Sequence, residues 1–178
     1  MSFLPNIRPK HILTALGLGA VSTMIASWSS LALMLQTYPA IIPVESPDPN
    51  ILTLLTAVIV APFIEELSKP IGLYLLRAEE KPELELREWA FLGAMAGLGF
   101  AVVENFLYAA TMLSYGTEAS VWLLGLRFLL PLHMIATAIS GYGIGLWMKT
   151  GKGRYFVWCM IISMLLHGAF NLAASVVG

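Results

Sequence analysis

"VIVAPFIEELSKPIGLYLL", residues 58–76, decides how this chain is read. Glu65, Glu66 and Lys69 stand in the middle of a run that is otherwise apolar on both sides. A charge at such a position costs at least about 2.5 kcal/mol on insertion scales, so three together need a reason. Pro62 and Pro70 flank them, and each lacks the N–H that a helix uses to satisfy the carbonyl four residues back. In helical register those carbonyls belong to Val58 and Glu66.

The rest of the chain supplies the setting. Of 178 residues, 58% are hydrophobic and 12% charged. Soluble domains run at about half apolar and about a quarter charged, so this is an integral membrane protein forming a single bundle over residues 1–178. A net charge of −1 excludes a polyelectrolyte partner such as nucleic acid. The single cysteine, Cys159, permits no internal disulfide.

The expected fold class is all-α, a polytopic transmembrane helix bundle with proline-kinked helices. Five apolar segments reach the roughly 20 residues that cross a bilayer: about 12–36, 51–77, 89–113, 120–148 and 155–177. "RAEEKPELELRE", residues 77–88, reads as a solvated loop. The first segment follows Arg8 and Lys10 as a signal sequence would, but its length reads as a retained anchor. Lys and Arg otherwise gather before the first span, at 77–87 and at 149–154, while 37–50 and 114–119 hold none. The positive-inside rule then places the N-terminus in the cytoplasm and the C-terminus outside.

Inside the spans remain Glu65, Glu66, Lys69, Glu104, Arg127, His133 and His167. Counted from span centres at 1.5 Å per residue, the glutamates and histidines fall within roughly 5 Å of one plane. Glu65 and Lys69 are spaced i,i+4, so lysine can neutralise the carboxylate on its own helix. Ser163, His167 and Asn171 form a polar stripe, and His133 with Thr137 a shorter one. Gly93, Gly97 and Ala101 form a small-residue ridge suited to close helix packing. Arg127 is expected to reach outward, away from His133. Such carboxylates and imidazoles around a wet cavity serve either hydrolysis or proton- or ion-coupled transport. Ser68, Ser163 and Cys159 lack the neighbours of an activated nucleophile.

Four motifs occur in order: "PFIEELSK" (62–69), "GFAVVENFLY" (99–108), His133, and "HGAFN" (167–171). The set resembles the PrsW family of membrane-embedded proteases and, more distantly, the CAAX prenyl endopeptidases and their bacteriocin-immunity relatives. The distant relatives carry arginine one position beyond Lys69 and histidine where Glu104 stands; both departures match the PrsW side. The resemblance implies peptide-bond cleavage in a membrane-anchored protein, the best-known case being an anti-sigma factor. One of Glu65 and Glu66 would activate water while Lys69 pairs with the other. Glu104, His133 and His167 would bind metal or position water, and Asn171 would donate to the oxyanion. Zn2+ or another divalent ion could be held by Glu104, His133, His167 and one of Glu65 and Glu66. A metal-free glutamate mechanism needs only a glutamate, a histidine and the asparagine, so both stay open.

Overall fold

The computed structural model describes residues 4–41, 49–80, 83–115, 125 and 131–177. Its elements are α1 (Pro9–Ile41), α2 (Pro49–Leu55), a π-helical turn (Thr56–Val60), α3 (Ala61–Ser68), α4 (Ile71–Glu80), α5 (Leu86–Tyr115), α6 (Leu132–Thr150) and α7 (Arg154–Val177). Among the described residues, four stretches are long and apolar enough to cross a membrane: Pro9–Leu33, Ile51–Ala78, Leu86–Thr111 and Arg154–Ser175. They coincide with the first, second, third and fifth expected spans. Large apolar side chains such as Leu13, Trp28, Phe106, Trp158 and Leu165 face outward, which suits a lipid solvent.

The fourth expected span, 120–148, is described essentially from Pro131 onward, and Arg127 lies outside the described residues. Within the described part, α6 turns a buried face to its neighbours and leaves Ile135 and Tyr142 exposed. His133, Thr137, Ser140, Gly141, Gly143 and Gly145 are all buried along it, and these polar and small residues dilute its apolar character. Pro131 stands at the N-cap with ψ 45°, outside the helix, so it starts α6 and does not kink it.

Neighbour relations close the bundle into a ring. α5 lies between α1 and α6, α6 between α5 and α7, and the π-turn with α3 bridges α1 and α7. The glycine ridge makes the closest of these approaches possible. A Cβ on Gly93 would overlap the Thr137 carbonyl, and one on Gly97 the His133 carbonyl. Gly19 and Gly99 do the same between α1 and α5, against Ala96 and Leu16. Ala15, Leu73, Leu76, Leu84, Trp89, Leu92, Ala96 and Ile144 form a buried apolar cluster.

The charged run 77–88 departs from the expected solvated loop at its end. Glu88 is fully buried. It accepts the Glu85 N–H at 2.8 Å and, from the N-terminal segment, Asn6 N–H at 2.8 Å and Asn6 Nδ2 at 3.1 Å. Its place at the third position of α5 makes it half of a capping box, which satisfies donors at a helix start that no helical carbonyl can reach. The same carboxylate ties the N-terminus to α5.

Candidate active site

Pro70 has no N–H, so α3 ends at Ser68 and α4 begins afresh at Ile71, with the Pro70 carbonyl accepting from Leu73 at 2.9 Å and Tyr74 at 3.1 Å. Lys69 sits in this break, fully buried. Its ammonium is the hub of the cluster. Nζ lies 2.7 Å from Glu66 Oε1, 3.2 Å from Glu65 Oε2, 2.8 Å from His133 Nδ1 and 3.5 Å from His167 Nδ1. Phe100 covers it from α5, its ring centre 4.4 Å away, in a cation–π contact. The i,i+4 spacing anticipates the Glu65 pair; the shorter contact is the i,i+3 one to Glu66.

The two glutamates differ. Glu66 is fully buried, and its Oε1 also meets His167 Nδ1 at 2.9 Å. Glu65 leaves its Oε2 within ion-pairing distance of Lys69 and 3.8 Å from His167 Nε2, but without a hydrogen-bond partner among the described residues. A buried carboxylate oxygen in that condition has an unmet capacity to bind a proton or a cation.

His133 opens the first turn of α6, brought against α5 at Gly97. Its Nε2 meets Glu104 Oε2 at 2.7 Å, one turn beyond Phe100 on α5, which leaves Nδ1 toward the cluster. The His133 and His167 rings meet edge to face, 5.1 Å between centres. Ligating atoms of Glu65, His133 and His167 all lie within 4.8 Å of one another. The donor set, one carboxylate oxygen and two imidazoles, is one that a zinc-like ion accepts. Lys69 Nζ stands among the same atoms, so an ion there requires the ammonium to withdraw toward Glu66. Glu66 and Glu104 stand outside this set; Glu66 Oε1 is held by Lys69 and His167 while its Oε2 has no hydrogen-bond partner among the described residues, and Glu104 meets His133.

Asn171, two turns beyond Ser163, donates from Nδ2 to the Ala57 carbonyl at 2.8 Å. The π-turn explains why that carbonyl is free. Ala61 N–H bonds to Thr56, five residues back, and one step on the donor would be Pro62, which has none. The carbonyl expected to be freed by Pro62 was Val58; the extra residue of the π-turn shifts the vacancy to Ala57. Val58 instead faces Gly168, where a Cβ would come within 2.6 Å of its oxygen. Ser163 bonds across to the Ala136 carbonyl at 2.7 Å and to Ser140 Oγ at 3.0 Å, joining α7 to α6 beneath His167. Periodicity marks these polar positions but not their partners across the ring.

A ring of helices with a buried Glu–Lys–His cluster marks a membrane-embedded protein with a polar centre. The chain belongs to the PrsW family: residues 8–178 match the family described as PrsW family intramembrane metalloprotease. It is also similar to Protease PrsW of Shouchella clausii (strain KSM-K16), 30% identical over 120 residues. That stretch covers 65% of this chain and 53% of the relative, so the chain spans about half the length of the curated relative it matches. No solved structure matches the chain.

Proposed function

We propose that this protein is an intramembrane protease that hydrolyses a peptide bond of a membrane-anchored protein substrate at the Glu65–His133–His167 cluster. The observation that carries the reading is the convergence of these three buried groups, with ligating atoms within 4.8 Å of one another. Family membership favours hydrolysis over ion-coupled transport as the use of the same cluster.

Glu65 is the base. Its carboxylate takes a proton from water as the water oxygen bonds to the scissile carbonyl carbon, and returns it to the amide nitrogen as the C–N bond breaks. Glu66 holds Lys69 and His167 in place and does not itself react. Lys69 offsets the negative charge of two buried glutamates. Glu104 orients His133 through Nε2, as carboxylates commonly do for working imidazoles. Asn171 braces the final helix against the second span. Glu65, His133 and His167 would hold a divalent ion such as Zn2+, which when bound supplies a Lewis acid that lowers the pKa of water and polarises the carbonyl.

Purified protein in detergent is expected to cut a single-span substrate, with Glu65→Gln inactive but folded. Roughly one equivalent of divalent metal is expected in chelator-free preparations, lost in His133→Ala and His167→Ala. Cleavage that survives complete chelation would leave the metal-free glutamate mechanism. Solute flux in proteoliposomes, driven by a pH gradient and without cleavage, would overturn the protease reading. The orientation proposed is cytoplasmic for the N-terminus and the 149–154 loop, tested by labelling Lys152→Cys in intact and permeabilised cells.

A further inference from the structure

The carboxylate beside each histidine decides which of its ring nitrogens is free. His133 Nε2 lies 2.7 Å from Glu104 Oε2. An ionised carboxylate can only accept, so Nε2 carries the proton and the Nδ1 lone pair faces the cluster. On His167 the order is reversed. Its Nδ1 lies 2.9 Å from Glu66 Oε1 and carries the proton, which leaves the lone pair on Nε2. Lys69 Nζ, 3.5 Å from His167 Nδ1, therefore meets another donor there. At His133 Nδ1, 2.8 Å away, it takes the lone pair itself, and it faces Glu65 Oε2 at 3.2 Å. Of the three groups that would hold a divalent ion, the ammonium already engages two.

We infer that Lys69 is the resident cation of this centre: a divalent ion enters by displacing its ammonium, and Lys69 thereby sets how weakly the ion is held. The inference rests on the metal reading of the site proposed above. One lone pair serves one partner, so an imidazole nitrogen that accepts from an ammonium has nothing left for a metal. The displaced ammonium has a destination. Glu66 Oε1 already holds it at 2.7 Å, and Glu66 Oε2 has no hydrogen-bond partner among the described residues. The N–H that leaves His133 can turn to that second oxygen. No proton is lost in the exchange, because the three negative charges of Glu65, Glu66 and Glu104 balance one ammonium and one dication. Phe100 opposes the move, since its ring, 4.4 Å from Nζ, attracts the ammonium where it sits. An ion can approach the two groups it must take from lysine: the side chains of Glu65 and His133 keep 11% and 10% exposure.

Chelator-stripped protein in detergent should be titrated with Zn2+ by calorimetry, and its Tm read with and without Zn2+. Lys69→Met, which keeps the stem without the charge, is expected to bind Zn2+ at least about tenfold more tightly than wild type, the weight of one charge-assisted hydrogen bond. Zn2+ should also raise the Tm of this variant further than that of wild type. Phe100→Leu keeps every charge and ligand, and decides the matter if Lys69→Met does not fold. It is expected to bind about threefold more tightly, the weight of a weak cation–π contact. Damage alone loosens a metal site, so a gain in affinity separates displacement from disruption. Zn2+ affinity no higher than that of wild type in Lys69→Met, or in Phe100→Leu where Lys69→Met does not fold, overturns the inference and leaves the metal reading standing. No Zn2+ bound by wild type and by either variant overturns the metal reading itself, and this inference with it.

Discussion

Asn171 Nδ2 donates to the Ala57 carbonyl oxygen at 2.8 Å, and this bond closes the helix ring between its second and last spans. The two residues are 114 apart in sequence, and the acceptor is available only because a π-turn and Pro62 coincide. Single π-turns frequently mark functional sites. Here the turn sets the rotation of α3, and therefore the direction in which Glu65 and Glu66 point.

Asn171→Ala should leave the Ala57 carbonyl without a protein partner, at a cost of about 1–3 kcal/mol. Differential scanning fluorimetry in detergent should then show Tm lowered by several degrees, with activity reduced in parallel. Unchanged melting with activity abolished would instead place the Asn171 amide on the substrate, in the oxyanion role.

Lys69→Ala removes the cation shared by Glu65, Glu66 and both imidazoles. Breaking a buried pair by deleting one partner costs on the order of 3–5 kcal/mol, so this variant is expected to melt markedly earlier than wild type. Lys69→Arg retains charge but must fit a larger head under Phe100, and partial stability is expected. Wild-type melting in Lys69→Ala would mean that water, not lysine, solvates the glutamates.

Glu65→Gln and Glu66→Gln should separate cleanly. Glu65 meets Lys69 at 3.2 Å, a looser contact than the 2.7 Å one from Glu66, so its amide replacement should hold the fold while losing cleavage. Glu66 holds Lys69 and His167 in charge-assisted bonds, each worth about 1.5–3 kcal/mol, so Glu66→Gln should lose stability as well as activity. A stable, inactive Glu66→Gln beside a fully active Glu65→Gln would exchange their roles.

Gly97→Ala tests the close approach that places His133. The added Cβ would overlap the His133 carbonyl, so α5 and α6 must part. Overpacking of this kind costs about 1–3 kcal/mol and would move His133 relative to Glu104 and Lys69. Both Tm and cleavage should fall, while Gly17→Ala, where an added Cβ meets nothing within 4 Å, should change neither.

Much of this protein was legible in the order of its residues. Mean hydropathy and the spacing of Lys and Arg mark spans without reference to any other element, because crossing a bilayer is a property of one segment at a time. Glu65, Glu66 and Lys69 share a helical turn and its end, so their proximity follows from local geometry, and Gly93 and Gly97 mark a packing face for the same reason. Only the tertiary structure decided which residues meet across the ring. Glu104 reaches His133 because two glycine-lined helices cross closely, and Lys69 reaches His133 and His167 because Pro70 ends α3 beneath them. The one-residue shift of the free carbonyl from Val58 to Ala57, and the burial of Glu88 under Asn6, depend on partners 114 and 82 positions away. No periodicity carries that information: hydrogen bonds across a bundle are set by how helices rotate and approach, which packing determines collectively.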